Sequence, residues 1–203
     1  IMSGRALAIA AEQKSDFVAL IGDIFSFPSE ASVDWATAQL AAAGLPFYYT
    51  SGNHDWHYEG MEGSLSDLRK TWIEKRLTRM YNSADPMMQS FEVNDISFII
   101  LDNSNYEIQP AQLDFFLNRI SNGKPTILML HIPLFAPGRS VGFGCGNPDW
   151  GAKSDRNFEL ERRQRWPEKG HTKATMDFYS AVFNSSNLMG VLAGHIHKQS
   201  LDV

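Results

Sequence analysis

A single cysteine, Cys145, allows neither an internal disulfide nor a thiolate zinc cage, so any metal must be held by His, Asp, Glu or Asn. Long apolar runs are missing too. Phe98 to Leu101 and Ile127 to Leu130 are the best candidates, far short of the roughly 18 residues that cross a bilayer, so no membrane partner is expected. Positive charge is scarce: 18 Lys and Arg face 23 Asp and Glu, a net charge of -5. A general coat for nucleic acid needs many cationic contacts to phosphate, which makes a small-molecule or phosphorylated substrate the better expectation. The chain also lacks repeats, low-complexity tracts and a charged n-region leading into an apolar stretch. Because Ile1 precedes Met2, the start reads as cut, and the end at Leu201-Asp202-Val203 reads as interrupted before further strand. The default compartment is a soluble, cytoplasmic one, with secretion left open. Asn184-Ser185-Ser186 fits a glycosylation acceptor that matters only in the secreted case. No signal speaks to oligomeric state.

What is present suits one globular domain over 1–203: 43% hydrophobic and 20% charged residues in 203 are enough to bury a core. Apolar runs at Phe17 to Ile21, Leu45 to Tyr49, Ser97 to Leu101, Thr126 to Leu130 and Met189 to Leu192 read as buried strands. Helical stretches lie at Ser3 to Lys14, Glu30 to Ala43 closed by Gly44, Ser66 to Met80, Pro110 to Ile120 closed by Gly123, and Thr175 to Phe183. Gln89 to Val93 and Ile96 to Leu101, joined through Asn94-Asp95, add an antiparallel hairpin. The pattern predicts an α/β layered fold with mixed sheet. Residues 138–171 are too long for an ordinary connection and predict an insert or lid.

Chemistry-bearing residues gather where strands end. Gly22-Asp23, Gly52-Asn53-His54-Asp55, His131 and Gly194-His195-Ile196-His197 each follow an apolar run, and ligands of α/β sheets collect beyond the carboxyl ends of strands. Together these clusters offer O and N donors without thiolate, a set suited to Mn, Fe, Zn, Co or Ni. The glycines let a chain leaving a buried strand turn sharply and bring its backbone close to an ion. Two imidazoles in Gly-His-x-His can serve a pair of ions. Each cluster alone has a bland reading as a turn, a cap or a hydrogen-bonded core histidine; their joint occurrence at strand ends favours a site.

In this order the clusters resemble the calcineurin-like metallophosphoesterase family, whose signature is Asp-x-His, Gly-Asp, Gly-Asn-His-Asp or Glu, a lone His, and Gly-His-x-His. The match runs from Phe17 to His197. It implies a four-layer αββα sandwich of two mixed sheets flanked by helices, here without the N-terminal strand and the C-terminal strands. It also implies a dinuclear centre of two divalent or trivalent ions and a phosphoester hydrolase, phosphatase or phosphodiesterase, without a covalent intermediate. By the resemblance Asp23 bridges two ions, Asn53, His131 and His195 complete one of them, and His197 belongs to the other. His54 touches no metal and faces the substrate. Paired cations can cancel charge on a phosphoryl group and make water nucleophilic near neutral pH, and His54 then suits protonation of the leaving oxygen.

The family's Asp-x-His block is missing; it belongs before Ser3, and Asp55-Trp56-His57 has its letters on the wrong side of Gly22-Asp23. One strong and one weak metal site are therefore expected. Asp55 reads either as a partner orienting His54 or as a cap, His57 as a surface or rim residue, and Asp102-Asn103 as a turn. In the lid, Arg139, Arg156, Arg162, Arg163, Arg165 and His171 mix with Trp150, Phe158 and Trp166; they offer cations and aromatic faces to a substrate, or else form a solvated helix. The alternative to an enzyme is a non-catalytic scaffold that binds metal or protein. A nuclease-like member is disfavoured by the acidic composition.

Overall fold

The computed structural model describes residues 4–57, 61–134, 171–195 and 201. Its element order alternates as the hydrophobic pattern predicts. Helix α1 (Gly4–Glu12) leads into β1 (Val18–Ile21), α2 (Glu30–Ala43) and β2 (Phe47–Thr50). After α3 (Leu65–Lys75) come β3 (Met88–Val93), β4 (Ile96–Leu101), α4 (Pro110–Ile120), β5 (Thr126–Met129), α5 (Lys173–Asn184) and β6 (Leu188–Leu192). No described helix is long and apolar enough to cross a membrane.

Local chemistry fixes the helix ends. The Ser29 hydroxyl accepts from Ser32 N at 3.1 Å to open α2, and Gly44 closes it in the left-handed region at φ 65°, where a Cβ would be strained. Pro110 stands in the first turn of α4, and Gln112 Oε1 accepts from Gln109 N at 2.9 Å. The helix expected to run from Ser66 to Met80 instead breaks at Arg76 (φ -135°) into α3 and a 3-10 segment, Leu77–Tyr81. Thr78 explains the break: its hydroxyl donates to the carbonyls of Ile73 at 2.9 Å and Glu74 at 3.3 Å, drawing on acceptors a continuous helix would use.

Strands β1 and β2 form a parallel pair, Val18 opposite Phe47 through Ile21 opposite Thr50. The second sheet is mixed and runs β3-β4-β5-β6, with β3 antiparallel to β4 and the other neighbours parallel. Alternation along β4 shows why its apolar run is unbroken. Phe98 and Ile100 join Phe17, Ala19, Ile21 and Tyr48 in a core between the sheets. Ile99 and Leu101 face the other way, onto Phe116 and Ile120 of α4 and Phe178 and Val182 of α5. A third core packs Leu7, Val33, Ala36 and Leu40 of α1 and α2 over Leu20 and Tyr49. The layers are thus helices, sheet, sheet, helices, with both faces of β4 and β5 covered in the manner parallel pairing requires, while β6 leaves Met189, Val191 and Leu192 exposed. This order sets the carboxyl ends of β1 and β2 against those of β4, β5 and β6.

The β3-β4 hairpin turns through Asn94 and Asp95, both with positive φ (50° and 63°), the type I′ geometry that prefers glycine second. Asp95→Gly is expected to raise stability by about 0.5–1 kcal/mol through relief of this strain, and Asp95→Val to lower it. Denaturant midpoints check both; a destabilised Asp95→Gly would contradict the turn assignment.

Candidate metal centre

Four strand ends deliver the centre. After β1 the chain enters the left-handed region twice, at Gly22 (φ 92°) and at Asp23 (φ 55°), and Asp23 Oδ1 accepts from His54 N at 2.9 Å. After β2, Gly52 opens a single 3-10 turn, Asn53–Asp55. Asp55 is fully buried and locks that turn: its Oδ2 accepts from Gly52 N and the Tyr49 hydroxyl at 2.8 Å each, its Oδ1 from Phe25 N at 2.7 Å. Two residues past the end of β5, His131 is also fully buried. Its Nδ1 lies 2.8 Å from the Ile21 carbonyl oxygen, which can only accept, so Nδ1 carries a hydrogen and, in the neutral imidazole, Nε2 is the nitrogen with the lone pair. After β6, His195 (φ 69°) sets its Nδ1 3.2 Å from that Nε2.

The convergence is one of atoms able to offer lone pairs. Around His131 Nε2 stand Asn53 Oδ1 at 3.1 Å, Asp23 Oδ2 at 3.3 Å and His195 Nδ1 at 3.2 Å. Asp23, His131 and His195 can each present a ligand atom within 4.8 Å of the others. Asp23 Oδ2 is buried and makes no close hydrogen bond, facing His131 Nε2 at 3.3 Å, a condition that for a carboxylate calls for positive charge at this point. Two oxygens and two imidazole nitrogens form a hard to borderline donor set without thiolate, suited to a first-row divalent ion. The charges agree. Burial alone would raise the Asp23 carboxyl, but the hydrogen bond and charge of His131, with the His54 N–H, pull it down to about 2. Burial likewise works against protonating His131, and Asp23 overrides it, so the imidazole is raised above its usual value. A metal ion at this point would take the place of the proton that Asp23 draws to Nε2. At Asp55 burial prevails over its three hydrogen bonds and raises the carboxyl to about 6.

The glycines before the donors serve a contact that the sequence reading assigned to the ion. A Cβ on Gly22 would strike His131 Nδ1 and the Gly52 backbone; one on Gly52 would strike Asp23 and lie 2.7 Å from His131 Cε1. Gly194 passes with its N–H donating to the His131 carbonyl at 3.0 Å, and a Cβ there would sit 3.3 Å from the Ile21 oxygen. Close approach is therefore to the donors themselves: three strand ends stack on one imidazole.

Asp102-Asn103, read from sequence as a turn, is a buried hub. The Asp102 carboxylate accepts from the hydroxyls of Ser51 at 2.7 Å and Ser104 at 2.6 Å and lies 3.1 Å from Arg69 Nε. Asn103 Oδ1 accepts from His131 N at 3.1 Å and Ile132 N at 2.9 Å, while its Nδ2 donates to the Ile132 carbonyl at 2.8 Å. The available signal was a polar pair ending an apolar strand, as at the other clusters. Tyr106, also missed, presents its ring to His195 edge-on with centroids 6.0 Å apart.

His54 is half-buried beside Asp23, bound to it through its backbone N–H. Asp55 does not orient it, since both carboxylate oxygens are committed to the β2 turn and its neighbours. His57 lies half-buried against Trp56, ring centroids 5.8 Å apart. His197, Cys145 and the lid residues before His171 lie outside the described residues. His171 is described: its Nδ1 is 3.1 Å from Glu107 Oε1, in a cluster at the start of α5 rather than in the donor set.

The sequence profile of the calcineurin-like phosphoesterases matches residues 5–199. The chain belongs to the calcineurin-like phosphoesterase family. Among solved structures, a dimetal phosphatase from Danio rerio aligns with a TM-score of 0.48 at 12% identity, over 65% of this chain and 59% of that one. Comparison with curated proteins gives no match. In this phosphoesterase-family chain the four donors sit on elements of both sheets, so their approach depends on the glycine contacts. Gly52→Ala is expected to lower stability by about 1–3 kcal/mol through overpacking, whereas Gly190→Ala, with open space around it, should shift it by less than about 0.5 kcal/mol. Equal denaturation midpoints for the two variants would contradict the stacked arrangement.

Proposed function

We propose that the chain is a metal-dependent phosphoester hydrolase, a phosphatase or phosphodiesterase, in which Asp23, Asn53, His131 and His195 hold one divalent or trivalent ion. The observation that supports this is the gathering of Asn53 Oδ1, Asp23 Oδ2 and His195 Nδ1 within 3.3 Å of His131 Nε2, with Asp23 Oδ2 itself buried. By family resemblance a second, weaker ion shares Asp23 and takes His197. Mn, Fe, Zn, Co and Ni all suit the donors. When bound, such ions neutralise charge on a phosphoryl group and lower the pKa of water to about 7.

The chain's own residues supply the rest. Asp23 is held by the His54 N–H at one oxygen, which leaves the other for the ion. His131 is oriented by the Ile21 carbonyl at its Nδ1. His54 is half-buried and adjacent to Asn53 in the same 3-10 turn, where a ring N–H can be given to the ester oxygen as its bond to phosphorus breaks. The substrate is a small phosphorylated molecule or a phosphorylated protein rather than a nucleic acid, in keeping with the net charge of -5.

Titration with Mn²⁺ in a calorimeter, followed by assays on aryl phosphate mono- and diesters, tests the reading. Wild type is expected to bind and to hydrolyse; His131→Ala is expected to lose binding. His54→Ala should keep binding and lose about 10²–10⁴-fold in turnover, and a loss below about tenfold would remove its acid role. Failure to bind would overturn the metal assignment, and binding without hydrolysis of any ester would favour a scaffold built on the same fold.

A further inference from the structure

The pairing of β4 with β5 stops at Ile100 opposite Met129, so the backbone of His131 and Ile132 lies past the end of that ladder. On the β6 side the Gly194 N–H still reaches the His131 carbonyl at 3.0 Å. On the β4 side a side chain takes over. Asn103 Oδ1 accepts from both His131 N (3.1 Å) and Ile132 N (2.9 Å), and Nδ2 donates to the Ile132 carbonyl (2.8 Å). An amide is suited to this because it offers an acceptor and donors on one rigid group. Asn103, His131 and Ile132 are each fully buried, so none of these backbone groups has water as a substitute partner.

Asn103 is itself tied down. The turn carrying it is braced by Gln112 Nε2, which donates to the Asp102 carbonyl at 2.7 Å, and by the Asp102 carboxylate, which reaches Ser51 at the end of β2 at 2.7 Å. The clamp therefore links a strand end of one sheet with the histidine that must reach across to Ile21 and the donors of the other.

We propose that Asn103 is the positioning residue of the centre: its side chain extends the β4-β5 ladder by proxy and fixes His131 so that Nδ1 meets the Ile21 carbonyl and Nε2 meets the other donors. The proposal rests on the metal-binding reading above and deepens it by naming a residue, itself no ligand, on which that site depends. Outer partners of metal ligands typically matter by about 10–100-fold in affinity.

The test uses Asn103→Leu, similar in size but without hydrogen bonds, and Asn103→Asp, which can keep the two accepted bonds and loses the donated one. Phe178→Leu, in the core under α5, controls for general loss of stability. The readouts are Mn²⁺ affinity by calorimetry and the His131 Nδ1–H proton resonance in the metal-free protein. Asn103→Leu is expected to weaken binding by about 10–100-fold and to lose the resonance. Asn103→Asp should weaken binding by at least about threefold and shift the resonance, and Phe178→Leu should melt earlier yet bind within about twofold of wild type with the resonance in place. Affinity and resonance unchanged in both Asn103 variants overturn the proposal; so does an equal loss of affinity in Phe178→Leu. If Asn103→Leu does not fold, Asn103→Asp decides alone. If wild type takes up no Mn²⁺, the metal reading fails, and the resonance still decides whether Asn103 positions His131.

Discussion

A fully buried imidazole, held at one nitrogen by a backbone carbonyl and faced at the other by a carboxylate, an amide oxygen and a second imidazole, is the constraint on which the structure turns. His131 Nδ1 is anchored on Ile21, in the opposite sheet. This single hydrogen bond determines which nitrogen can offer a lone pair, and that one faces Asn53, Asp23 and His195. In a low-dielectric interior such a set of lone pairs is unfavourable without a positive charge among them. Asp23 and His195 add backbone strain: both adopt positive φ, a cost of order 1–3 kcal/mol for a residue with a side chain. Cost of this kind collected at one point is what functional sites display.

The sandwich makes the arrangement affordable in packing terms. Phe17, Tyr48, Phe91 and Phe98 lock the two sheets face to face, so the ends of β1 and β2 stand opposite those of β4 and β5 without a flexible joint. Glycine at 22, 52 and 194 removes the bulk that would hold those ends apart. Asp55 and Asn103 then use side chains to satisfy backbone groups that the ladders leave behind. One reads in the sequence as site chemistry and the other as a turn; both act on the backbone.

Much of this was legible from residues alone. Continuous apolar runs identified the strands because both faces of β4 and β5 are covered, and glycine, proline and serine marked helix ends because they act locally. The convergence of Asp23, Asn53, His131 and His195 was legible since each follows a strand, and strand ends in an α/β fold have a common destination. What escaped depends on contacts distant in sequence. The break at Arg76 comes from Thr78 hydroxyl bonds that a helical pattern does not encode. Asp55 has the composition of a catalytic partner, and only the positions of Phe25, Tyr49 and Gly52 reveal it as a lock. Asn103 reads as a turn because its partners, 28 and 29 residues away, are backbone atoms and leave no trace in residue type.

The most direct test of the central claim is a crystal structure grown with Mn²⁺ and recorded with anomalous scattering. The account expects an anomalous peak about 2.0–2.3 Å from Asp23 Oδ2, Asn53 Oδ1, His131 Nε2 and His195 Nδ1, with His131 Nδ1 still on the Ile21 carbonyl. Ions bound only elsewhere, or an imidazole turned so that Nδ1 faces the donors, would contradict it.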